Sequence, residues 1–519
     1  MAERILKLNR TNVLGALALT GVLGLTLGTL IAVALRADGA GAFGPADWAA
    51  IRFTLWQAAL SAVISVILAI PVARALARRS FPGRGFLITL LGAPFILPVI
   101  VAVLGLLAVF GRNGIVSQTL IWAGLEPISI YGLHGVVIAH VFFNLPLATR
   151  LILQGWLTIP AERFRLAASL GFGPDDIQRV LERPMLRGVL PGALLVIFLI
   201  CLTSFAVALA LGGGPRATTV ELAIYQAFRF DFDLGKAALL ALVQFAMGAT
   251  AALIALRVAV PGGIGTGLDR AVRRWDGGIA LVLQDVLCIG FATLFLVLPL
   301  TMILLDGAPG LVRLPHPVLW AAGRSILVAL ASVILTLSLA LPIAALAVRH
   351  RSRLVEGIGT LTIAASPLVI GTGLFIVIFP LADPFALALP VTALVNAAMA
   401  LPFALRVIVP VLAGIETDYG PLADQMGLTG TARFRHLWLP RLRRPLGFTA
   451  GLAGALSMGD LGVIAMFADP ERATLPLQLY RLMGAYRMED AAAAALLLLM
   501  LSLLMFWAFD KGGRVDADA

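Results

Sequence analysis

The chain has 519 residues, of which 60% are hydrophobic and 13% charged, with a formal net charge of +11. A soluble domain carries about 25% charged residues, so a soluble globular fold is excluded, and long continuous apolar runs exclude the short alternating strands of a membrane barrel. The positive charge is almost all arginine, which reads as topogenic charge beside membrane spans and not as a nucleic-acid surface.

Apolar runs of about 18 residues or more mark membrane helices, and about twelve follow one another. They lie near 13–35, 53–76, 86–110, 133–157, 189–211 and 237–259, then near 279–305, 318–347, 354–380, 386–413, 445–468 and 489–509. The first run follows Arg4, Lys7 and Arg10 but is too long for a signal-peptide core and reads as a retained helix. Most of the 39 basic residues fall on alternate connecting segments, including Arg74, Arg78 and Arg79 on one and Arg163, Arg165, Arg179 and Arg183 on another. Cytoplasmic enrichment of Lys and Arg then puts both termini inside. The expected fold is all-α and polytopic. Cys201 and Cys288 sit inside apolar runs, and the five histidines form no ligand-spaced cluster, so neither a disulfide framework nor a metal site is implied. Asp285 and Asp460 are the clearest acidic residues within apolar runs, and an ionisable group in a membrane is a functional candidate by default. Ser204 and Asp460 are taken as the pathway candidates.

The runs repeat. Thr54 to Ser61 and Ala69-Ile-Pro71-Val-Ala73 return as Ser325 to Ser332 and Ala340-Leu-Pro342-Ile-Ala344, 271 positions on, and Thr89…Ala93-Pro94 returns as Thr362…Ser366-Pro367. Leu145-Pro-Leu-Ala-Thr-Arg150 returns as Leu401-Pro-Phe-Ala-Leu-Arg406, 256 positions on. Matched prolines, serines and arginines in order are more than shared apolar composition. Six spans separate the partners, so the repeat is parallel, about an axis along the membrane normal. The expected units are a first half over 1–260, a cytoplasmic linker over 261–278 and a second half over 279–519.

Each half carries one distinctive basic loop, over 160–188 and 415–444. The first reads Arg165-Leu-Ala167-Ala168-Ser-Leu-Gly171, then Leu181-Glu-Arg-Pro184; the second reads Pro421-Leu-Ala423-Asp424-Gln-Met-Gly427, then Leu437-Trp-Leu-Pro440. Each predicts a short helix, a glycine turn and a second helix stopped by proline. These loops resemble the coupling-loop motif of binding-protein-dependent ABC importer permeases: Glu-Ala-Ala, three residues, Gly, nine residues, Ile-x-Leu-Pro. The resemblance implies a type I ABC importer permease whose short loop helices dock in clefts of an ATPase subunit. Arg165 and Pro421 stand where the family has Glu, which leaves Glu162 and Asp424 as acidic replacements to test. No Gly-x-x-x-x-Gly-Lys-Ser/Thr phosphate loop occurs. ATP is therefore expected to be used by separate subunits, two copies of an ATPase, with no cofactor on the chain itself.

The segments after the fifth run of each half share Arg-Ala-Thr, at Arg216–Thr218 and Arg472–Thr474. Arg216, Thr218, Thr219, Glu221 and Tyr225, with Arg472, Thr474 and Tyr480, are expected at the outer mouth, as a docking surface for a binding protein or as an outer gate. These segments, together with Phe53–Ala62, Phe81-Pro-Gly-Arg84, Ala139–Pro146 and Ser457-Met-Gly-Asp-Leu-Gly462, resemble the thiamine importer permeases of Gram-negative bacteria across both halves. The resemblance implies import of thiamine and its phosphates through the inner membrane, delivered by a periplasmic thiamine-binding protein. Two other readings stay open. Fused ferric-iron permeases share the two-half layout, and a twelve-span secondary transporter would place coupling acids in its spans, where they are scarce here.

Overall fold

The computed structural model describes residues 10–37, 43–92, 96–214, 217–258, 278–350, 352, 355, 357, 362, 365–467 and 470–514. Among them no strand occurs. The first half contains α1 (Arg10–Ala37), α2 (Pro45–Arg78), α3 (Val99–Phe110), α4 (Leu133–Leu157), α5 (Ala161–Ser169), α6 (Arg183–Leu202), α7 (Val220–Arg229) and α8 (Leu234–Val258). The second contains α9 (Ile279–Gly307), α10 (His316–His350), α11 (Pro367–Ile378), α12 (Ala388–Gln425), α13 (Leu439–Met458), α14 (Leu475–Gly484) and α15 (Met488–Arg514). Among these the order of the two halves corresponds, except that α12 matches α4 and α5 together; the short helices Arg84–Leu90 and Ile115–Trp122 of the first half have no described counterpart in the second. The expected linker lies outside the described residues apart from Gly278.

Among the described residues eleven helices are long and apolar enough to cross a membrane, where the sequence suggested about twelve. The difference is the run expected near 354–380. Its helix, α11, has 12 residues, about 18 Å of rise against a hydrocarbon layer of about 30 Å. Pro367 occupies the first helical position, and the Ser366 hydroxyl accepts from the Val369 N–H at 3.1 Å. The matching α3 is also 12 residues long and begins after Pro98, but the helix Ile115–Trp122 that follows extends its span to 24 residues. Both short helices start at a proline because the residue before proline is driven out of the helical region. The expected Ala93-Pro94 match lies outside the described residues.

Within each half, three helices pack on one another: α2, α4 and α6 in the first, and α10, α12 and α13 in the second. The first helix of each half leaves its own core. Helix α1 packs against α10 and α11 of the second half as well as α8, and α9 packs against α2 and α3 of the first half as well as α15. Glycine makes these crossings close. A Cβ on Gly105 of α3 would stand 2.7 Å from the Pro299 carbonyl of α9, and one on Gly373 of α11 would stand 2.5 Å from Thr29 of α1. Small residues let helix backbones approach where lipid supplies no hydrophobic drive for association. An aromatic seam joins the halves, with the rings of Phe228 and Phe375 4.5 Å apart edge to face, and those of Phe375 and Phe467 5.6 Å apart.

Candidate functional site

The two loops are built alike. Helix α5 ends in a left-handed glycine, with Gly171 at φ +69, and α12 ends the same way, with Gly427 at φ +67. The Phe172 N–H donates to the Ala167 carbonyl (3.0 Å) and the Gly171 N–H to the Ala168 carbonyl (3.1 Å). Leu428 donates to Ala423 (2.9 Å) and Gly427 to Asp424 (3.1 Å) in the same pattern. These paired bonds close a helix C-terminus on a left-handed residue, a conformation in which glycine alone escapes a Cβ penalty. Ala167 and Ala423 are buried beneath the loops. Above them, Leu166 and Leu170 are 60% and 61% exposed, and their counterparts Leu422 and Met426 are 54% and 68% exposed. Each loop thus presents an apolar pair, four residues apart on one helical face, with Arg165 and Asp424 exposed beside it.

Two expectations about these loops are corrected. Pro184 and Pro440 do not stop the second helix, since each is the second residue of a helix that continues as α6 or α13. A π turn precedes each proline, over Gln178–Glu182 and Phe434–Trp438. Proline has no N–H to donate, and its ring collides with the carbonyl four residues back; the wider π turn shifts that carbonyl away. The second loop also has no separate short helix, because α12 runs unbroken to Gln425. In the first loop Pro160 separates α4 from α5; the residue 256 positions on is Glu416, which lets the helix pass.

The loops are tethered differently. Glu182, 1% exposed, pairs with Arg74 at 2.8 Å and Arg78 at 4.0 Å on α2. Arg78 also reaches Asp285 of α9 at 3.6 Å, and Arg79 reaches it at 2.7 Å. Asp285 is therefore an anchor between the halves, its buried carboxylate held by two arginines. In the second loop Arg433 binds Glu416 (2.9 Å from Nε) and Asp424 (2.5 Å), and the Trp438 indole donates to Glu416. Asp424 is thus tied within its own loop, while Glu162 is exposed and close to the loop surface.

At the opposite end of the bundle, α7 and α14 mirror each other. The Val220 N–H donates to the Thr54 hydroxyl at 2.9 Å, and the Leu475 N–H donates to the Ser325 hydroxyl at 2.8 Å. Thr54 and Ser325 were visible as a repeat pair, but no local motif gave them this task. The Thr219 hydroxyl caps α7 through Leu222 at 3.3 Å. Thr219, Glu221 and Thr474 are buried, at 1%, 0% and 3% exposure, so they do not form a docking surface; they belong to the packing that closes this end. Burial pushes the Glu221 carboxyl up to about 8, against the opposing effect of the nearby Ser366 and Gln244 side chains. Thr218 is half-buried and donates to the Gly214 carbonyl at 3.3 Å, and Arg472 donates to the Phe385 carbonyl at 3.0 Å. Arg216 lies outside the described residues. Tyr225 and Tyr480, one from each half, line a single cavity.

Between these ends, the fifth span of each half breaks. Ser204 lies between α6 and the short helix Ala206–Leu211, and Asp460 lies between α13 and Gly462–Phe467. The two residues are 256 apart, so they occupy equivalent breaks, and the Asp460 carboxylate accepts from the Gly462 N–H at 3.2 Å. A Cβ on Gly462 would meet the Phe205 ring at 3.8 Å, so the breaks face each other across the halves. Just before them lie matching buried polar contacts. Ser61 meets His140 Nδ1 at 3.2 Å and Asn144 donates to Cys201 Sγ at 3.3 Å; Ser332 meets Ser457 at 2.9 Å and Asn396 donates to Ser457 at 3.0 Å. His140 and Asn396, like Cys201 and Ser457, are 256 apart. Differing residue types hid this correspondence from a search for identical ones.

No protein-family model matches the chain. The thiamine transport system permease protein ThiP of Brucella abortus is 39% identical over 515 residues, covering 96% of this chain and 95% of the relative. ThiP of Escherichia coli is 40% identical over 475 residues, 89% of each chain. The molybdenum transport system permease protein ModB of Mycobacterium bovis is 32% identical over 248 residues, 46% of this chain and 89% of its own length. With the helical membrane fold, these similarities make the chain a transmembrane permease subunit of an ABC importer, in which ATP hydrolysis falls to separate subunits. Matched over nearly its whole length, the chain belongs to the family of thiamine transport system permease proteins.

Proposed function

We propose that this permease moves thiamine and its phosphates inward across the bacterial inner membrane by alternating access. As a permease subunit of a binding-protein-dependent importer it works with an ATPase and a periplasmic binding protein. In this reading two ATPase copies dock, one on α5 and one on the end of α12, and the termini lie on that cytoplasmic side. The chain needs no cofactor of its own. The single observation that supports this assignment of ends is the matched pair of loops, each with a glycine-closed helix and an exposed apolar pair: Leu166 with Leu170, and Leu422 with Met426. A cleft on the ATPase that takes an i, i+4 apolar pair would engage both loops in one way. Thiamine as cargo is supported by 39% and 40% identity to thiamine permeases over nearly the whole chain.

The test is a complex of permease, ATPase and binding protein in proteoliposomes. Thiamine-loaded binding protein should stimulate both ATP hydrolysis and thiamine accumulation. Stimulation by an iron-loaded binding protein alone would replace the cargo. Uptake that survives omission of the ATPase and collapses with an uncoupler would overturn the mechanism.

A further inference from the structure

At the end of the bundle away from the loops is a cavity of about 200 Å³. Its wall includes Gly213, Gly214, Tyr225, Gln226 and Phe230 of the first half and Tyr480 of the second. Tyr225 and Tyr480 are 255 positions apart, on the equivalent helices α7 and α14, so the cavity lies where the halves meet. The Tyr225 ring is fixed by edge contacts, 5.3 Å from the ring of Phe205 and 5.8 Å from that of Phe230. Tyr225 is 9% exposed and Phe230 is 73% exposed, so the cavity has a buried aromatic floor and an open aromatic lip.

We infer that this cavity is a hand-over site, in which one planar nitrogen heterocycle of the cargo stacks against Tyr225 and Tyr480 on leaving the binding protein. The inference rests on the thiamine reading above. Thiamine is two linked nitrogen heterocycles, and a dry cavity of about 150 Å³ admits one benzene ring. The space here suits one substituted ring at a time, held by stacking and edge contacts. Occupancy is transient, because the second ring of the cargo stays outside.

The test uses the full complex with binding protein and ATPase in proteoliposomes, with thiamine as probe and uptake per ATP hydrolysed as readout. Loss of folded complex lowers both quantities and leaves that ratio unmoved. Tyr225→Phe and Tyr480→Phe keep the rings and should hold the ratio within about twofold, whereas Tyr225→Leu and Tyr480→Leu should lower it by about tenfold each. Leucine variants with the wild-type ratio would overturn the site, as would phenylalanine variants that lose as much as leucine. If Tyr225→Leu prevents assembly, the half-buried Tyr480 decides by the same comparison. A wild-type complex that accumulates no thiamine at all would instead sink the cargo reading.

Discussion

Glu221 shows how one side chain can set a pH window. A free glutamate loses its proton near 4.5, but this buried one holds it to about 8. Between those values the folded chain keeps a proton that the unfolded chain has released. Stability contributed by this group therefore falls as pH rises through the window and is level above it. Glu221→Gln should remove that slope, so its thermal midpoint, measured in detergent from about pH 5 to about pH 8, should gain on wild type as pH rises. Equal slopes in the two proteins would show that Glu221 is ionised in the fold. The sequence made Glu221 a docking or outer-gate candidate because it lies in the segment after the fifth run that shares Arg-Ala-Thr between the halves. Its burial depends on α8 and α11 folding over it, which no local pattern carries. Gly171 and Gly427 were legible for the opposite reason, since a left-handed helix end is a local requirement that leaves its mark in one residue.

At the scale of elements, the same ends are held by different chemistry. Glu182 is fully enclosed and bound to two arginines of α2, while Asp424 is tied to Arg433 at an exposed site. Removing one partner of a buried pair costs about 3 kcal/mol or more, whereas an exposed pair contributes about 1 kcal/mol or less. Glu182→Gln should therefore lower the thermal midpoint by several degrees and Asp424→Asn hardly at all; similar midpoints would mean that water reaches Glu182. The loops were readable as a repeated spacing, but their unequal construction was not. One proline, Pro160, splits α4 from α5, and Glu416 in its place lets α12 pass unbroken. The sequence also overstated Pro184 and Pro440. It treated each as a helix stop, where a π turn of five residues absorbs the missing N–H.

At the scale of the molecule, the loops and the tyrosine cavity lie at opposite ends, and the proposed orientation assigns the loops to the cytoplasm. Trp122, 91% exposed, ends the span that starts at Val99 and so lies at the end where α4 begins, away from the loops, whereas Leu166, 60% exposed, is on α5 in the first loop. In right-side-out vesicles, an impermeant thiol reagent should label Trp122→Cys and spare Leu166→Cys, with the order reversed in inverted vesicles. The contrary pattern would invert the topology. The number of spans, the two halves and their parallel sense were all legible to within one helix, because apolar length and repeated prolines survive without tertiary information. The crossing of α1 and α9 was not, since their lipid-like faces look the same whichever half they join.

That crossing bears on how the chain is made. Helix α1 ends at Ala37, and its partner α10 begins at His316. At about 5–20 residues per second, synthesis reaches that partner roughly 15–60 s later. During this interval the face of α1 that ends against α10, where a Cβ on Gly15 would stand 2.8 Å from the Pro342 carbonyl, is solvated by lipid. The second helix of that pair is thus a late arrival, starting when translation is about three-fifths complete, and the bundle closes only when α15, which packs on α9, has followed.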